Sequence, residues 1–237
     1  VHDFMWAADK DYIHDILKVE GAPELHFFYQ NDSSIIENWQ KFQSKVASGF
    51  QYMSKHFGNY PYPVYSVIQG GDGGMEYPMG TLLSGPGLGT AFHEWMHTWY
   101  QMLMGTNESL YAWMDEGFTD WATHLVSAYY RETVTKKRMA GNATAIKRMD
   151  SVANILPKEQ SGSYQSYSML AKSGYEEPMT THADHFNTNF AYGTAAYSKG
   201  AVFMEQLGYI VGAAARDKIL LEYYRQWRFK HPNVNDF

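Results

Sequence analysis

Short stretches of β-forming residues lie in the first third of the chain, and apolar residues at helical spacing dominate the rest. Glu24–Gln30 and Val64–Gln69 are short and rich in aromatic or β-branched residues, and each predicts a strand. Between them, apolar residues recur every three or four positions, which predicts one helix with a single buried face: Trp39, Phe42, Val46, Phe50 and Met53.

Both ends of that helix have sequence signals. Ser34 and Glu37 have the spacing of a capping box, so we expect their side chains to bond reciprocally to the backbone of the first turn. Gly58 is a typical C-terminal stop. The pattern therefore predicts a helix between the two strands.

A glycine-rich segment, Gly70–Pro78, follows the second strand. Four glycines in five residues allow the backbone to approach another group closely. Met75–Tyr77 is predicted as an edge strand, since the following Pro78 cannot donate a ladder hydrogen bond. We expect Gly80–Gly89 to be a flexible passage.

From residue 92 onward the pattern is helical. Arg131–Arg148 is polar and predicted to be partly helical, and Ser161–Glu177 is predicted to be mostly loop. Strands and one helix followed by helices alone indicate an α+β fold, with a small N-terminal mixed sheet and a mainly helical remainder. The predicted helices are Phe92–Met104, Trp113–Tyr130, Phe190–Ile210 and Ala213–Phe229.

Composition narrows the functional classes. The 237 residues are 45% hydrophobic and 19% charged, which is typical of a globular domain. The net charge is −6 and no basic patch occurs, so nucleic acid is not an expected partner. No apolar run is long enough to span a membrane. The chain has no cysteine, so a metal site would need histidines and carboxylates.

The segment His93-Glu94-Trp-Met-His97 carries the clearest chemical signal. Two histidines four residues apart lie on one helical face, and both imidazoles can reach one Zn²⁺ at about 2.0–2.1 Å. Glu94 points in another direction and is suited to act as a general base. Glu116 follows His97 after a spacer of 18 residues and is a well-placed third ligand. Three protein ligands with an open fourth position are typical of catalytic zinc, so we expect one Zn²⁺ per chain.

Asp120 lies one helical turn beyond Glu116. One interpretation is that its carboxylate accepts the free N–H of a ligand histidine and so fixes the orientation of that ring. The alternative is a solvated helix carboxylate. The residues favour neither interpretation over the other.

Three motifs together resemble those of the M1 family of zinc aminopeptidases, within the gluzincin group. Gly73-Gly74-Met75-Glu76-Tyr77 is similar to the family's exopeptidase motif, and the histidine motif with Glu116 matches its metal ligands. Tyr197-Ser-Lys-Gly-Ala201 is similar to the segment bearing the family's catalytic tyrosine. The opening residues also look like the start of that family's catalytic domain, so the resemblance covers nearly the whole chain.

The resemblance implies a thermolysin-like fold and a defined set of roles. His93, His97 and Glu116 would hold Zn²⁺, and Glu94 would take a proton from the attacking water and return it to the leaving amine. The hydroxyl of Tyr197 would stabilise the oxyanion. On spacing alone Tyr197 also fits a core aromatic residue, and Tyr192 is the fallback for the catalytic role.

Substrate binding is also implied by the resemblance. Glu76 would pair with the free α-ammonium group of a peptide, which restricts cleavage to the first peptide bond. The backbone from Gly73 to Tyr77, including Gly74 and Met75, would hold the peptide as an added strand. The alternative for Glu76 is a solvated loop acid.

The chain departs from the family pattern at several points. Tyr77 stands where Asn is usual in the exopeptidase motif, which alters the rim of the pocket for the substrate N-terminus. Asp115 precedes Glu116 where Asn is common. We expect residues 1–237 to be a single excised catalytic domain, with an N-terminal β domain and a C-terminal helical domain as flanking domains of the full-length chain.

The predicted function is that of a metallo-aminopeptidase acting on peptides with a free N-terminus. The first alternative is a zinc endopeptidase or another gluzincin hydrolase on the same scaffold, which the change at Tyr77 favours. The second is a non-catalytic binding domain, which would require a broken metal set, whereas every matched residue is present.

Overall fold

The structure is a computed structural model that describes residues 3–135, 140–144, 147 and 159–237. Its contacts divide the chain into two compact units. The first unit comprises Val1–Gly105 and Leu220–Pro232, and the second comprises Thr106–Ile219 and Asn233–Phe237. The prediction of a single catalytic domain over residues 1–237 stays a prediction.

The first unit contains a five-stranded mixed sheet in the order β1-β2-β3-β5-β4. β2 pairs in parallel with β3, and β3 in parallel with β5, whereas β1 with β2 and β4 with β5 are antiparallel. The small mixed sheet is therefore confirmed, and β4 lies at an edge of it, as predicted. The strands are β1 (Tyr12–Leu17), β2 (Glu24–Gln30), β3 (Val64–Gln69), β4 (Gly74–Tyr77) and β5 (Gly80–Leu83).

Helix α1 (Ile36–Phe57) connects β2 to β3, and the predicted apolar stripe along it is buried. Trp39 stacks on Tyr29 of β2, with ring centroids 5.4 Å apart and the rings nearly parallel. Phe42 meets Phe27 of the same strand edge to face. Offset and edge-to-face aromatic pairs stabilise beyond the area they bury, so this layer anchors the sheet to the helix.

The predicted capping box at the start of α1 is wrong. The helix begins at Ile36 without a side-chain cap. Instead, the carboxylate of Asp32 accepts hydrogen bonds from the backbone N–H and the hydroxyl of Ser34, each at 2.8 Å. Because Ser34 is engaged in this local turn, its hydroxyl does not serve the first helical turn.

The expectation of a flexible passage over Gly80–Gly89 is also wrong, because its first four residues form β5. This strand lies between β3 and β4, and its backbone is bonded on both sides. The hydroxyl of Thr81 also donates to the carbonyl of Met75, at 3.0 Å. A four-residue strand between glycines carries little local signal, so pairing with its neighbours decides its structure.

The helix predicted over Phe92–Met104 begins earlier and is interrupted. Helix α2 spans Leu88–Met96, and a π-helical turn follows over Thr98–Leu103. Tyr100 has φ −112° and ψ 87°, which is not helical, so the chain kinks there. The glycines at the start of α2 concealed its first turn from the sequence pattern.

The second unit is helical. A π-helical turn at Trp113–Gly117 runs into α3 (Phe118–Tyr130), which confirms the predicted second helix. The segment predicted as mostly loop contains α4 (Ser161–Ser173), which is a correction. The predicted helix Phe190–Ile210 is confirmed in three stretches, namely α5 (Asn189–Gly193), a π-helical turn (Thr194–Lys199) and α6 (Gly200–Val211).

The last predicted helix is α7 (Ala213–Trp227), whose residues from Leu220 onward belong to the first unit. In the predicted partly helical segment Arg131–Arg148, Arg131–Thr135 form a π-helical turn, and residues 136–139, 145, 146 and 148 lie outside the described residues. Among the helices that the structure describes, none is long and apolar enough to cross a membrane.

Candidate active site

In the first unit, the two histidines of the motif face each other across one helical turn. His93 lies in α2, and His97 directly follows its last residue. Their Nε2 atoms are 3.2 Å apart, and the ring planes are at 81°. Two nitrogens bound to one tetrahedral zinc at 2.0–2.1 Å would be about 3.3 Å apart. The spacing therefore fits two ligands of a single metal ion.

The ring of His97 is held in one tautomer. Its Nδ1 lies 3.1 Å from the carbonyl oxygen of Tyr100. Because a carbonyl can only accept, Nδ1 carries the proton, and in the neutral ring Nε2 keeps a lone pair directed at His93. This carbonyl belongs to Tyr100, the residue at which the chain kinks. A ligand histidine held by a backbone carbonyl in this way is typical of metal sites.

Two carboxylates lie close to His97 within the first unit. One ligand atom from each of Glu76, Glu94 and His97 lies within 4.8 Å of the others. Glu94 is buried, with 7% of its surface exposed, and Glu76 is half-buried on the edge strand β4. The fold thus places the acid of the glycine-rich motif beside the acid of the histidine motif.

Gly74 allows this close approach. A Cβ atom at this position would lie 2.3 Å from Oε1 of Glu94 and 2.5 Å from Cγ2 of Thr90. Any larger residue would therefore displace either β4 or the side chains of Glu94 and Thr90. Gly73, by contrast, has open space around its Cβ position, and Met75 is exposed on the other face of the strand.

In the second unit, the hydroxyl of Tyr197 donates a hydrogen bond to Oε1 of Glu116, at 2.5 Å. Burial, followed by the negative charge of Glu116, raises the pKa of Tyr197. The phenol therefore stays protonated and remains a donor. Tyr192, the fallback residue, packs edge to face against the ring of Phe186.

A contact between two glycines brings Glu116 and Tyr197 together. A Cβ on Gly117 would lie 2.6 Å from Cα of Gly200 and 2.8 Å from the carbonyl oxygen of Ala196. Each glycine adjoins one of the two segments, so the backbones touch only because neither position carries a side chain. The Gly200 of the tyrosine motif thus has a packing role that the sequence alone did not reveal.

The predicted site residues coincide with irregular helical turns. His97 directly precedes the π-helical turn Thr98–Leu103, Glu116 lies in Trp113–Gly117, and Tyr197 lies in Thr194–Lys199. Single π-helical turns are rare and frequently mark functional sites. Helical periodicity does not distinguish a π turn from an α turn, so the sequence missed this feature.

The structure describes Asp120 in the first turn of α3, half-buried. Its predicted role as the partner of a ligand histidine stays a prediction. The Nδ1 atom of His97 lies against the carbonyl of Tyr100, a backbone group that no side-chain pattern could have indicated.

Known proteins resemble this chain in part of its sequence and in its fold. No protein-family model matches the chain. Over 148 residues, 62% of the chain, it is 23% identical to Aminopeptidase M1-D and 24% identical to Aminopeptidase M1-B of Oryza sativa subsp. japonica. The matched segment spans only 15% of the length of each of these relatives.

Solved structures share the fold. An M1 zinc metallopeptidase from Deinococcus radiodurans superimposes with a TM-score of 0.68 at 17% identity, covering 95% of this chain and 47% of that one. A mutant of that peptidase bound to a Tyr-Ser-Ala substrate gives a TM-score of 0.64 at 16% identity over the same shares. Yeast LTA4 hydrolase gives 0.63 at 18% identity, covering 93% of this chain and 35% of that one.

These likenesses to solved structures show the fold of the chain. Its fold is the α+β fold of M1 peptidase domains, with a small mixed sheet followed by a mainly helical part. Together with the rice relatives, they support an M1 aminopeptidase-like domain.

Proposed function

We propose that the chain is the catalytic part of a zinc-dependent aminopeptidase, which removes the N-terminal residue of peptides. The observation that carries the proposal is the convergence of Glu76, Glu94 and His97 within the first unit. It supplies a candidate general base, a candidate metal ligand and a candidate ammonium-binding carboxylate in one place.

The proposed metal set is His93, His97 and Glu116, with one Zn²⁺ per chain. The spacing of the two imidazole nitrogens and the tautomer of His97 support the histidine pair. The assignment of Glu116 rests on its sequence spacing and on the resemblance to M1 peptidases. When bound, zinc polarises the substrate carbonyl and lowers the pKa of water at the site.

The proposed acid–base and oxyanion roles belong to two further side chains. Glu94 takes a proton from the attacking water and later passes it to the leaving amine. The Tyr197 hydroxyl, which stays protonated, donates a hydrogen bond to the oxyanion as it forms. In the free protein this donor is directed at Glu116, so it would turn to the substrate during the reaction.

The exopeptidase part of the proposal rests on Glu76. In a peptide the α-nitrogen and the first carbonyl carbon are about 2.5 Å apart, because only Cα separates them. With the ammonium group on Glu76, beside Glu94, only the first carbonyl reaches the general base. The edge strand β4 offers free backbone groups to which residues of the peptide can add as a strand.

A panel of matched peptides tests this proposal. We expect hydrolysis of peptides with a free N-terminus and a loss of at least a hundredfold in kcat/KM for N-acetylated versions. Glu76→Gln should reduce this preference by weakening the binding of free N-termini. Similar rates for free and blocked peptides would overturn the exopeptidase assignment and favour the endopeptidase alternative.

The endopeptidase alternative has one supporting observation, which is Tyr77 in place of the usual Asn. Tyr77 is half-buried at the end of β4, next to Glu76, so the change alters the surroundings of that carboxylate. The names of the rice relatives and the tripeptide bound by the Deinococcus mutant favour the aminopeptidase. Because the chain spans less than half of the solved neighbours, we propose flanking domains as further partners of the site.

A further inference from the structure

We propose that Lys199, through an ion pair with Glu176, is a positioning residue for Tyr197. This inference rests on the proposed function, in which Tyr197 stabilises the oxyanion. It assigns a role to the lysine of the tyrosine motif and to an acid outside all of the motifs. Neither residue belongs to the proposed set that touches metal or substrate.

The ion pair lies directly beside the tyrosine. Lys199 ends the π-helical turn that contains Tyr197, two residues further along the chain. Its Nζ is 2.5 Å from Oε1 of Glu176 and 5.3 Å from the ring centroid of Tyr167 on α4. A cation over an aromatic ring gains a second favourable contact, so Lys199 is held from two sides.

Partial burial distinguishes this pair from an ordinary surface ion pair. The side chains of Lys199 and Glu176 are 22% and 32% exposed. The pair Lys41–Glu37 on α1 is 60% and 77% exposed. Exposed pairs contribute little because water screens them, whereas a shielded pair with a second contact holds its geometry better.

The residue next to Glu176 is anchored. The next residue, Glu177, accepts hydrogen bonds from the backbone N–H of Asn187 at 3.0 Å and from its side-chain amide at 2.8 Å. These hydrogen bonds join Glu177 to Asn187 across the segment that follows α4. The bond from Lys199 also holds the pKa of Glu176 below its usual range, so the acid stays charged.

The π-helical turn explains why an anchor is needed. π-helical turns are much rarer than α-helical turns. If this segment changed to α-helical geometry, Tyr197 would rotate relative to Glu116. Gly200 holds the far end of the turn against Gly117. Lys199, next to that glycine, ties the same end to the segment after α4. The hydrogen bond between Tyr197 and Glu116 then depends on both contacts.

The test is a kinetic double-mutant cycle in the full chain. We expect Lys199→Met and Glu176→Gln each to lower kcat about tenfold to a hundredfold with little change in KM, because a displacement of about 1 Å can cost this much. Lys199→Arg should keep most of the activity. In a Tyr197→Phe background, Lys199→Met should have almost no further effect. Lys41→Met is the control and should match the wild type.

Several outcomes would overturn the inference. A loss from Lys199→Met that is as large in the Tyr197→Phe background as in the wild type would show that Lys199 does not act through the tyrosine. An unchanged kcat in both Lys199→Met and Glu176→Gln would do the same.

A second measurement separates this inference from the proposed function. Crystal structures of the wild type and Lys199→Met should show the Tyr197–Glu116 hydrogen bond kept in the first and broken in the second. This comparison does not require an active enzyme. An inactive wild type would refute the proposed function, and the two crystal structures would still test the positioning role. An intact bond in Lys199→Met would overturn the positioning role.

Discussion

At the scale of single residues, the three acids with proposed roles have different surroundings. Glu94 is buried against Gly74, Glu76 is half-buried on an edge strand, and Glu116 accepts a hydrogen bond from Tyr197. In the proposed function, one chemical group has three roles, as general base, as ammonium partner and as metal ligand, because the environment of a carboxylate decides its role. Substitutions of Glu94 and of Tyr197, the hydrogen-bond donor to Glu116, test two of the proposed roles.

Glu94→Gln removes the proposed general base while keeping the shape of the side chain. We expect kcat to fall by about 10²–10⁴-fold, because this is the usual contribution of general acid–base catalysis. Zinc content should be unchanged, since Glu94 is not a proposed ligand. Glu20→Gln, an exposed acid of the same unit, is the control. A Glu94→Gln variant with wild-type kcat would refute the assignment.

Tyr197→Phe removes the proposed oxyanion donor. We expect kcat to fall by about 10²–10³-fold with KM nearly constant, as for the loss of one oxyanion-hole donor. Tyr192→Phe should retain activity. If steady-state kinetics show the reverse pattern, the fallback tyrosine carries the role.

At the scale of elements, the sequence predicted most helices and strands because their apolar periodicity is strong. The stripe on α1 and the strands β2, β3 and β4 were all anticipated. The features that it did not predict depend on which of several possible partners a residue takes. β5 is ordered by pairing with β3 and β4, and Ser34 is engaged by Asp32.

The candidate site was predicted as a set of residues, whereas its geometry was not. The spacing of His93 and His97 dictates that both lie on one face, so this pair could be derived from the sequence. The three π-helical turns, the carbonyl of Tyr100 and the contact of Gly117 with Gly200 could not, because each depends on backbone packing.

Gly74→Ala tests the packing of β4 against α2. A Cβ atom there would lie 2.3 Å from Oε1 of Glu94, so either the strand or the carboxylate must move. We expect destabilisation of about 1–3 kcal/mol in urea unfolding, as for overpacking, together with a fall in kcat/KM. Gly71→Ala is the matched control, because its Cβ position has open space. Equal effects of the two substitutions would contradict this packing.

At the scale of the whole molecule, the proposed zinc ion should stabilise the folded chain. A ligand that binds only the folded state stabilises it by RT ln(1 + [L]/Kd). Removal of zinc with a chelator should therefore lower the melting temperature as well as abolish hydrolysis, and added zinc should restore both. Differential scanning calorimetry with and without chelator measures this. An unchanged melting temperature would show that metal binding is not coupled to folding.

The metal content of the purified native protein tests the proposed zinc site. Mass spectrometry of metals should find one zinc per chain in the wild type and in Glu94→Gln. It should find zinc lost or strongly reduced in His97→Ala and in Glu116→Ala. Circular dichroism would confirm that each variant remains folded. A folded wild-type protein that neither contains zinc nor takes it up would contradict the account.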